Sequence, residues 1–219
     1  TKTDGLQLPY NKLTDLFRKE MAMAGYVEFM TFALISHKDM FTNLLRKDAD
    51  DITAKIAYSK CKDFDYIRSS LIPGILKSIG GNKSSQLPFK IFEISDIVIV
   101  DKNTEVGARN RRKLCFAFIN TTSAMEIIQG MVDLLMRKIE LKFNDPKTDN
   151  CYTIKNSENP TFFEDRQAEI FIQEGNKIGI YGIIHPNVLK NYGIVYPVTL
   201  CEIDLQEVMD RILNGKLLE

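Results

Sequence analysis

The fold is decided by the stretch Pro88-Phe-Lys-Ile-Phe-Glu-Ile-Ser-Asp-Ile-Val-Ile-Val100, whose aromatic and β-branched residues predict one long β-strand. The chain turns at Asp101-Lys-Asn103, and the polar stretch from there to Arg112 is typical of a loop. Lys113 to Asn120 predicts the return strand. The three segments together predict a β-hairpin with an extended connection.

Amphipathic helices lie on both sides of this hairpin in the sequence. Apolar residues recur at helical spacing from about Pro9 to Gly25, from Ser70 to Gly81 and from Ile127 to Ile139. Ser36 with Asp39, and Ser123 with Glu126, have the spacing of helix capping boxes. Further short helices are predicted at 185–191 and 205–213.

The order of the elements indicates the fold class. A strand is predicted from Tyr26 to Leu34, and further strands are predicted near 152–155, 168–173, 178–184 and 198–205, with a hairpin at Glu174-Gly-Asn176. Strands and helices come in segregated runs and do not alternate strictly, as a parallel doubly wound sheet would require. We expect a single α+β domain over residues 1–219, with an antiparallel or mixed sheet flanked by helices.

Charge and composition exclude several classes of protein. The 29 basic and 29 acidic residues cancel, so no overall field attracts the chain to nucleic acid or to a membrane. No apolar run is long enough to span a bilayer, and no signal peptide is evident. Four widely spaced cysteines without a close pair predict reduced thiols, buried at Cys115 and Cys201, and a cytoplasmic protein without a zinc site. The chain begins at Thr1, and we expect it to be a fragment of a longer protein.

Few residues carry a signal for chemistry. The sequence has no phosphate-binding loop, dinucleotide fingerprint or nucleophile elbow. Gly179 and Gly182 lie in a predicted strand, where they would admit a close neighbour, and His185 is expected to have a structural role at a strand-to-helix junction. Glu202 and Asp204 point to one side of a strand, and a solvated face is a better interpretation than a magnesium site.

The segment Arg109-Asn-Arg-Arg-Lys113 is the one dense basic patch of the sequence. A solvated hairpin loop is the favoured interpretation. Contact of Arg109, Arg111 and Arg112 with RNA phosphates is the alternative.

Several segments together resemble the β subunit family of phenylalanyl-tRNA synthetase, in its archaeal and eukaryotic cytosolic form. No single match is strong, but they occur in the family's order over about residues 6–205. They are Leu8-Pro-x-Asn-Lys-Leu13, Phe32-Ala-Leu34, Arg68-Ser-Ser-Leu-Ile-Pro-Gly-Ile-Leu, Phe92-Glu-Ile-Ser-Asp96, Phe162-Phe-Glu-Asp-Arg166 with Ala168-Glu-Ile170, and Gly179-x-x-Gly182-x-x-His185-Pro-x-Val188.

The resemblance implies the catalytic-like module of that subunit, with a class II aminoacyl-tRNA synthetase fold. In that superfamily the strands around Phe92 and Phe116 would bind ATP. Binding requires an arginine that neutralises the α-phosphate. The strand 91–96 has no arginine, and Cys201 to Val208, where glycines are expected, carries carboxylates instead. The resemblance also implies an arginine on the helix that follows, and Arg211 could replace it, but alone it would face Glu202, Asp204 and Glu207. We therefore expect no catalytic, cofactor-binding or metal-binding residues in this module.

The resemblance also implies a partner. The family's catalytic site lies on the α subunit, in an (αβ)₂ assembly that charges tRNA with phenylalanine and uses ATP and Mg²⁺ elsewhere in the complex. The helix that carries Leu13, Phe17 and Met21 would present apolar residues to a partner as well as to its own core. We expect Phe17→Asp to weaken association with α and to leave the isolated fold largely intact. The alternatives are a free-standing adenylate-forming enzyme and an RNA-binding module.

Overall fold

Long strands form the framework of the molecule. The computed structural model describes residues 5, 7–47, 52–144, 150–172 and 175–213, without the side chains of 211–213. The strands of this part are β1 (Val27–Glu28), β2 (Leu34–Ile35), β3 (Tyr66–Ile67), β4 (Phe89–Val100), β5 (Ala108–Ile119), β6 (Lys142–Phe143), β7 (Cys151–Asn156), β8 (Phe162–Ile172), β9 (Asn176–Ile184) and β10 (Val198–Asp204). Its helices are α1 (Pro9–Met23), α2 (Ile72–Gly81), α3 (Met125–Lys138), α4 (Pro186–Asn191) and α5 (Leu205–Leu213), with a π-helical turn at Lys38–Thr42 and a 3₁₀ turn at Lys62–Phe64.

Eight of these strands form one mixed sheet in the order β1-β4-β5-β10-β9-β8-β7-β6. The β1–β4 and β6–β7 pairs at the two ends are parallel, and the pairs between them are antiparallel. Strands β2 and β3 form a separate pair. The predicted α+β class, with a mixed sheet flanked by helices, is confirmed.

Helices cover both faces of the sheet. Side chains alternate along a strand, so Leu114 and Phe116 of β5 join one buried cluster, while Cys115 and Ala117 join another. The first cluster contains the buried residues of α1, α3 and α5, and we call this side the α1 face. The second contains those of α2 and Val188 of α4, and we call it the α2 face.

Helix α1 packs into the α1 face through residues four apart. Leu13, Phe17 and Met21 are 7%, 1% and 0% exposed, as expected for one stripe of an amphipathic helix. Pro9 begins the helix, where its missing N–H costs nothing. Gly25 follows it at φ +82°, the left-handed conformation predicted for this position.

The predicted strand from Tyr26 to Leu34 is mostly wrong. Only β1 joins the sheet there, at its edge, and the Phe29 amide donates a last hydrogen bond to the Phe92 carbonyl at 2.7 Å. The chain then leaves the sheet, because the Thr31 hydroxyl donates to the Glu93 carboxylate at 2.8 Å. A side chain remote in sequence thus ends this strand.

The predicted loop before Arg112 is also wrong in part. Strand β5 begins at Ala108, opposite Val100, so the basic segment 109–112 is paired with β4 over its whole length. Arg112 donates two hydrogen bonds to the Asp96 carboxylate opposite it, at 2.9 and 3.1 Å. Cross-strand charge pairs of this kind stabilise a strand whose composition is typical of a loop.

Of the two predicted capping boxes, that of Ser36 and Asp39 forms in part, ahead of a π-helical turn. The Asp39 amide donates to the Ser36 hydroxyl at 3.1 Å, whereas α3 begins at Met125 without a side-chain cap, so the Ser123 prediction is wrong. The predicted hairpin at 174–176 lies partly outside the described residues.

Burial of α1 leads to a first prediction. Phe17→Ala should lower the free energy of unfolding by about 3–5 kcal/mol, the usual cost of deleting a buried phenyl ring. Chemical denaturation measures this change. Leu16→Ala on the same helix is the control, since Leu16 is 38% exposed and should cost far less. Equal losses in the two variants would contradict the packing described here.

Candidate functional site

Two carboxylates and a thiol form a row across the middle of the sheet. Glu93 of β4 lies opposite Cys115 of β5, and Cys115 lies opposite Glu202 of β10. Cys115 belongs to the cluster on the α2 face. All three residues are buried, with Glu93 and Cys115 at 0% exposure and Glu202 at 7%. Because register neighbours share a face, the structure gathers Glu93 and Glu202 on the α2 face.

Glu93 is held by a buried ion pair. The Arg68 Nη1 donates to its Oε1 at 2.7 Å, and the two side chains are 6% and 1% exposed. Arg68 also donates to the Asp96 carbonyl and to Thr31, and the Thr31 hydroxyl donates to Glu93, so both ends of the pair are hydrogen-bonded further. Such bonds offset the desolvation of buried charges, which Coulomb attraction alone often fails to do.

Glu202 ties a second segment to the sheet. Its Oε1 accepts hydrogen bonds from the Ser70 hydroxyl at 2.8 Å and from the Leu71 amide at 2.7 Å, at the start of α2. Its Oε2 accepts from Lys113 Nζ at 2.8 Å. Burial raises the pKa of Glu202, but the Lys113 ammonium and the hydrogen bonds lower it by more, so the net pKa is below its usual value.

The expected solvated face for Glu202 and Asp204 is therefore wrong. Glu202 is internal, and Asp204 lies 2.9 Å from the Arg111 guanidinium. Burial raises the pKa of Asp204, an effect that Arg111 and Lys113 oppose. Sequence reasoning missed these pairings because the partners are remote in the chain.

The two cysteines near these carboxylates have unreactive thiols. Cys115 and Cys201 are free thiols at 0% exposure, as predicted. Burial, together with the charge of Glu202, raises the pKa of each thiol well above its usual value. A thiol in this state is a poor nucleophile.

The three arginines proposed to contact RNA do not form one patch. Arg112 faces Asn11 and Thr14 of α1, whereas Arg111 contacts Asp204. Arg109 lies 3.1 Å from Asp101 and has the most exposed side chain of the three, at 51%. Hydrogen bonds to Asp96 raise the pKa of Arg112. Each cation is thus neutralised by a carboxylate, and contact with tRNA remains a prediction.

The residues proposed for the subunit interface lie in the chain's own hydrophobic core. The cluster on the α1 face contains Leu13, Phe17 and Met21. Their role in subunit association remains a prediction, but Phe17→Asp would place a charge in this core. The expectation that this change leaves the fold intact is therefore wrong.

Exposed apolar side chains lie further along the chain. Met23, Val27, Met30, Phe32 and Leu34 are 84%, 57%, 88%, 82% and 38% exposed, and we call them the 23–34 surface. Strand β1, which carries Val27, is the last strand of the sheet at this end. The signal in the sequence was the apolar run 26–34, which was assigned to a strand of the sheet.

Two structural interpretations are confirmed. A Cβ at Gly179 or Gly182 would lie 2.7 Å from the Glu202 carbonyl oxygen or 2.6 Å from that of Arg166, so both positions admit a close neighbour. His185 caps α4, since its Nδ1 accepts the Asn187 amide at 3.1 Å.

Known proteins are similar to this sequence over nearly its whole length. The family model described as "Phenylalanyl tRNA synthetase beta chain CLM domain" matches residues 1–205. The chain belongs to this family. Relatives named phenylalanine–tRNA ligase beta subunit include those of Homo sapiens, 41% identical over 94% of the chain, and Caenorhabditis elegans, 37% identical over 94%. The Arabidopsis thaliana relative, named as cytoplasmic, is 39% identical over 92%.

The chain spans about a third of the length of these relatives, 34% for the human and nematode proteins and 35% for the plant protein. The range shared with the family ends at Leu205, directly after β10, so it includes the row of Glu93, Cys115 and Glu202. Among the described residues, no helix is long and apolar enough to cross a membrane.

The environment of Glu202 leads to a pH prediction. Its folded-state pKa is lowered, so its contribution to stability is present above the unfolded value of about 4.3 and is lost as the pH falls through the folded-state pKa. Glu202→Gln should therefore destabilise the chain at neutral pH, and its difference from wild type should shrink in acid. Urea unfolding across this pH range measures the difference.

Glu105→Gln is the matched control, because Glu105 is exposed and should change stability little at any pH. A Glu202→Gln difference that stays constant from neutral to acid pH would contradict the ionised, hydrogen-bonded state assigned to Glu202.

Proposed function

We propose that the chain is a non-catalytic, class II synthetase-like module of a phenylalanine–tRNA ligase β subunit. In this proposal it assembles with the α subunit in an (αβ)₂ complex that attaches phenylalanine to its tRNA with ATP. The observation that carries the proposal is the row Glu93–Cys115–Glu202. These carboxylates lie on β4 and β10, in the segments that the resemblance compares with nucleotide-binding parts of a class II synthetase, and both are bonded to the chain's own residues.

The pairing of charges around Glu93 and Glu202 supports the proposal that this module is not catalytic. A triphosphate needs cations at its binding site, and beside these two carboxylates Arg68 is already paired with Glu93 and Lys113 with Glu202. The segment Ser70–Leu71 lies directly on Glu202, so α2 begins over this part of the sheet. We propose that ATP and Mg²⁺ act elsewhere in the complex, and that the complex is cytoplasmic like the named plant relative.

Calorimetry tests the lack of catalysis. Titration of the purified chain with Mg·ATP and with phenylalanine should give no stoichiometric binding, while the complex with α should bind both. Stoichiometric ATP binding by the chain alone would contradict the proposal and favour a free-standing adenylate-forming enzyme. Copurification with a phenylalanyl-tRNA synthetase α subunit tests the assembly.

We propose the 23–34 surface as the part of the chain that meets the α subunit. The relatives are named as subunits, so a partner chain is expected, and exposed apolar side chains are typical of surfaces that a partner covers. Phe32 is 82% exposed and contacts Phe64, itself 40% exposed, at a ring distance of 6.0 Å. Aromatic residues with this exposure are enriched among interface hot spots.

A matched pair of substitutions tests this surface. Phe32→Asp should weaken association with α by about tenfold or more, the effect of losing more than about 1.4 kcal/mol at a hot spot. The fold should be unaffected, because Phe32 is not part of the core. Tyr58→Asp is the control, since Tyr58 is 96% exposed and lies outside the 23–34 surface. Native mass spectrometry that finds the Phe32→Asp complex undisturbed would contradict the assignment.

A further inference from the structure

An open cavity of about 400 Å³ lies beside Glu202, at one end of β9 and β10. Its wall is formed by charged residues, by Asn159 and by residues 178–180. The charged residues are Arg46, Lys113, Lys177, Glu202 and Asp204. A volume of this size is within the range of small-molecule sites.

Most of these charges are already paired. Lys113 lies 2.8 Å from Glu202, and Lys177 lies 2.5 Å from Glu169. Asp204 is neutralised by Arg111 at 2.9 Å. One charge of the wall, that of Arg46, has no counterpart among them.

Arg46 is held by a hydrogen bond and has no ionic partner among the described residues. Its Nε donates to the Thr161 hydroxyl at 3.0 Å, and that hydroxyl, fully buried, donates to the Leu44 carbonyl at 2.9 Å. In the part of the chain that the structure describes, Arg46 makes this one hydrogen bond and no ion pair, so both of its terminal nitrogens remain available. Burial lowers the pKa of Arg46, although the nearby Glu202 opposes that change. A partly buried guanidinium without an anion is costly to the fold, and a bound anion would relieve the cost.

Asn159 supplies a second donor to the same cavity. Its side-chain oxygen accepts the Thr161 amide at 3.0 Å, which orients the amide group. In the described residues, its Nδ2 makes no hydrogen bond. A guanidinium and an amide on one wall are suited to bind an oxyanion.

We propose that this cavity binds a small ligand through a single negatively charged oxyanion, a carboxylate or a monoanionic phosphoryl group, held by Arg46. Among the described residues of the wall, Arg46 carries the one unpaired charge, and one negative charge on the ligand would match it. Because Lys113 and Arg111 are already paired with Glu202 and Asp204, no second cation is left among these residues to balance the further charges of a polyanion such as a nucleoside triphosphate. The guanidinium fork matches the two oxygens of either group. This site is distinct from the 23–34 surface and does not depend on the proposed role in the ligase.

Protection from arginine modification tests the site in the native assembly. Phenylglyoxal modifies accessible guanidinium groups, and peptide mass spectrometry reports the rate at each arginine. Benzoate serves as the carboxylate probe and inorganic phosphate as the phosphoryl probe, with sodium chloride to hold the ionic strength constant. Modification of Arg46 should slow by about tenfold when the probe is at about ten times its Kd.

Arg109 is the internal control, since it is exposed and lies outside the cavity, and its modification rate should not change. Protection of Arg46 by benzoate alone identifies a carboxylate ligand, and protection by phosphate alone identifies a phosphoryl ligand. The proposal is overturned if neither probe protects Arg46 at about 10 mM, ten times a weak Kd of 1 mM, or if Arg109 is protected equally. Stronger protection by ATP than by either probe would overturn the monoanion assignment. The Asn159→Ala variant should lose part of the protection.

Discussion

The buried ion pair between Arg68 and Glu93 is the interaction on which the rest of the α2 face depends. It lies on β4, next to the edge strand β1, with almost no exposure to water, where two charges are stable only if their remaining hydrogen-bonding groups are satisfied. Thr31 and the Asp96 carbonyl satisfy them. The same contacts draw the chain away from the sheet after β1, and they connect that edge to the segment before α2. Glu202 repeats this arrangement two strands away, where it anchors Ser70 and Leu71.

These pairings explain which parts of the fold could be predicted from the sequence. Helix α1 and strand β4 follow from local periodicity, because the spacing of apolar residues depends on the helix or strand alone. The basic segment 109–112 was assigned to a loop, since its strand conformation depends on carboxylates as remote as Asp204. The strand predicted over 26–34 was wrong for the same reason, because the contact of Thr31 with Glu93 ends the pairing of β1 with β4. Local composition carries no information on such partners.

The candidate site was predicted in part. The sequence shows that 91–96 has no arginine and that 201–208 carries carboxylates, and the structure places Glu93 and Glu202 on one face. The sequence could not indicate that both carboxylates are buried, or that Lys113 and Arg68 neutralise them. The interface residues stay a prediction, because an amphipathic stripe such as Leu13, Phe17 and Met21 has the same pattern whether it packs on its own sheet or on a partner. The exposure of these side chains distinguishes the two cases, and it can be known only from the folded structure.

A double-mutant cycle on Arg68 and Glu93 tests the account most directly. Arg68→Met and Glu93→Gln are made singly and together, and the free energy of unfolding is measured for each. Each single change should cost about 3–5 kcal/mol, because it removes one partner of a buried pair, and the double change should cost clearly less than the sum. A coupling energy of about 2 kcal/mol or more is the predicted result. A coupling energy near zero would contradict the claim that this pair holds the α2 face together.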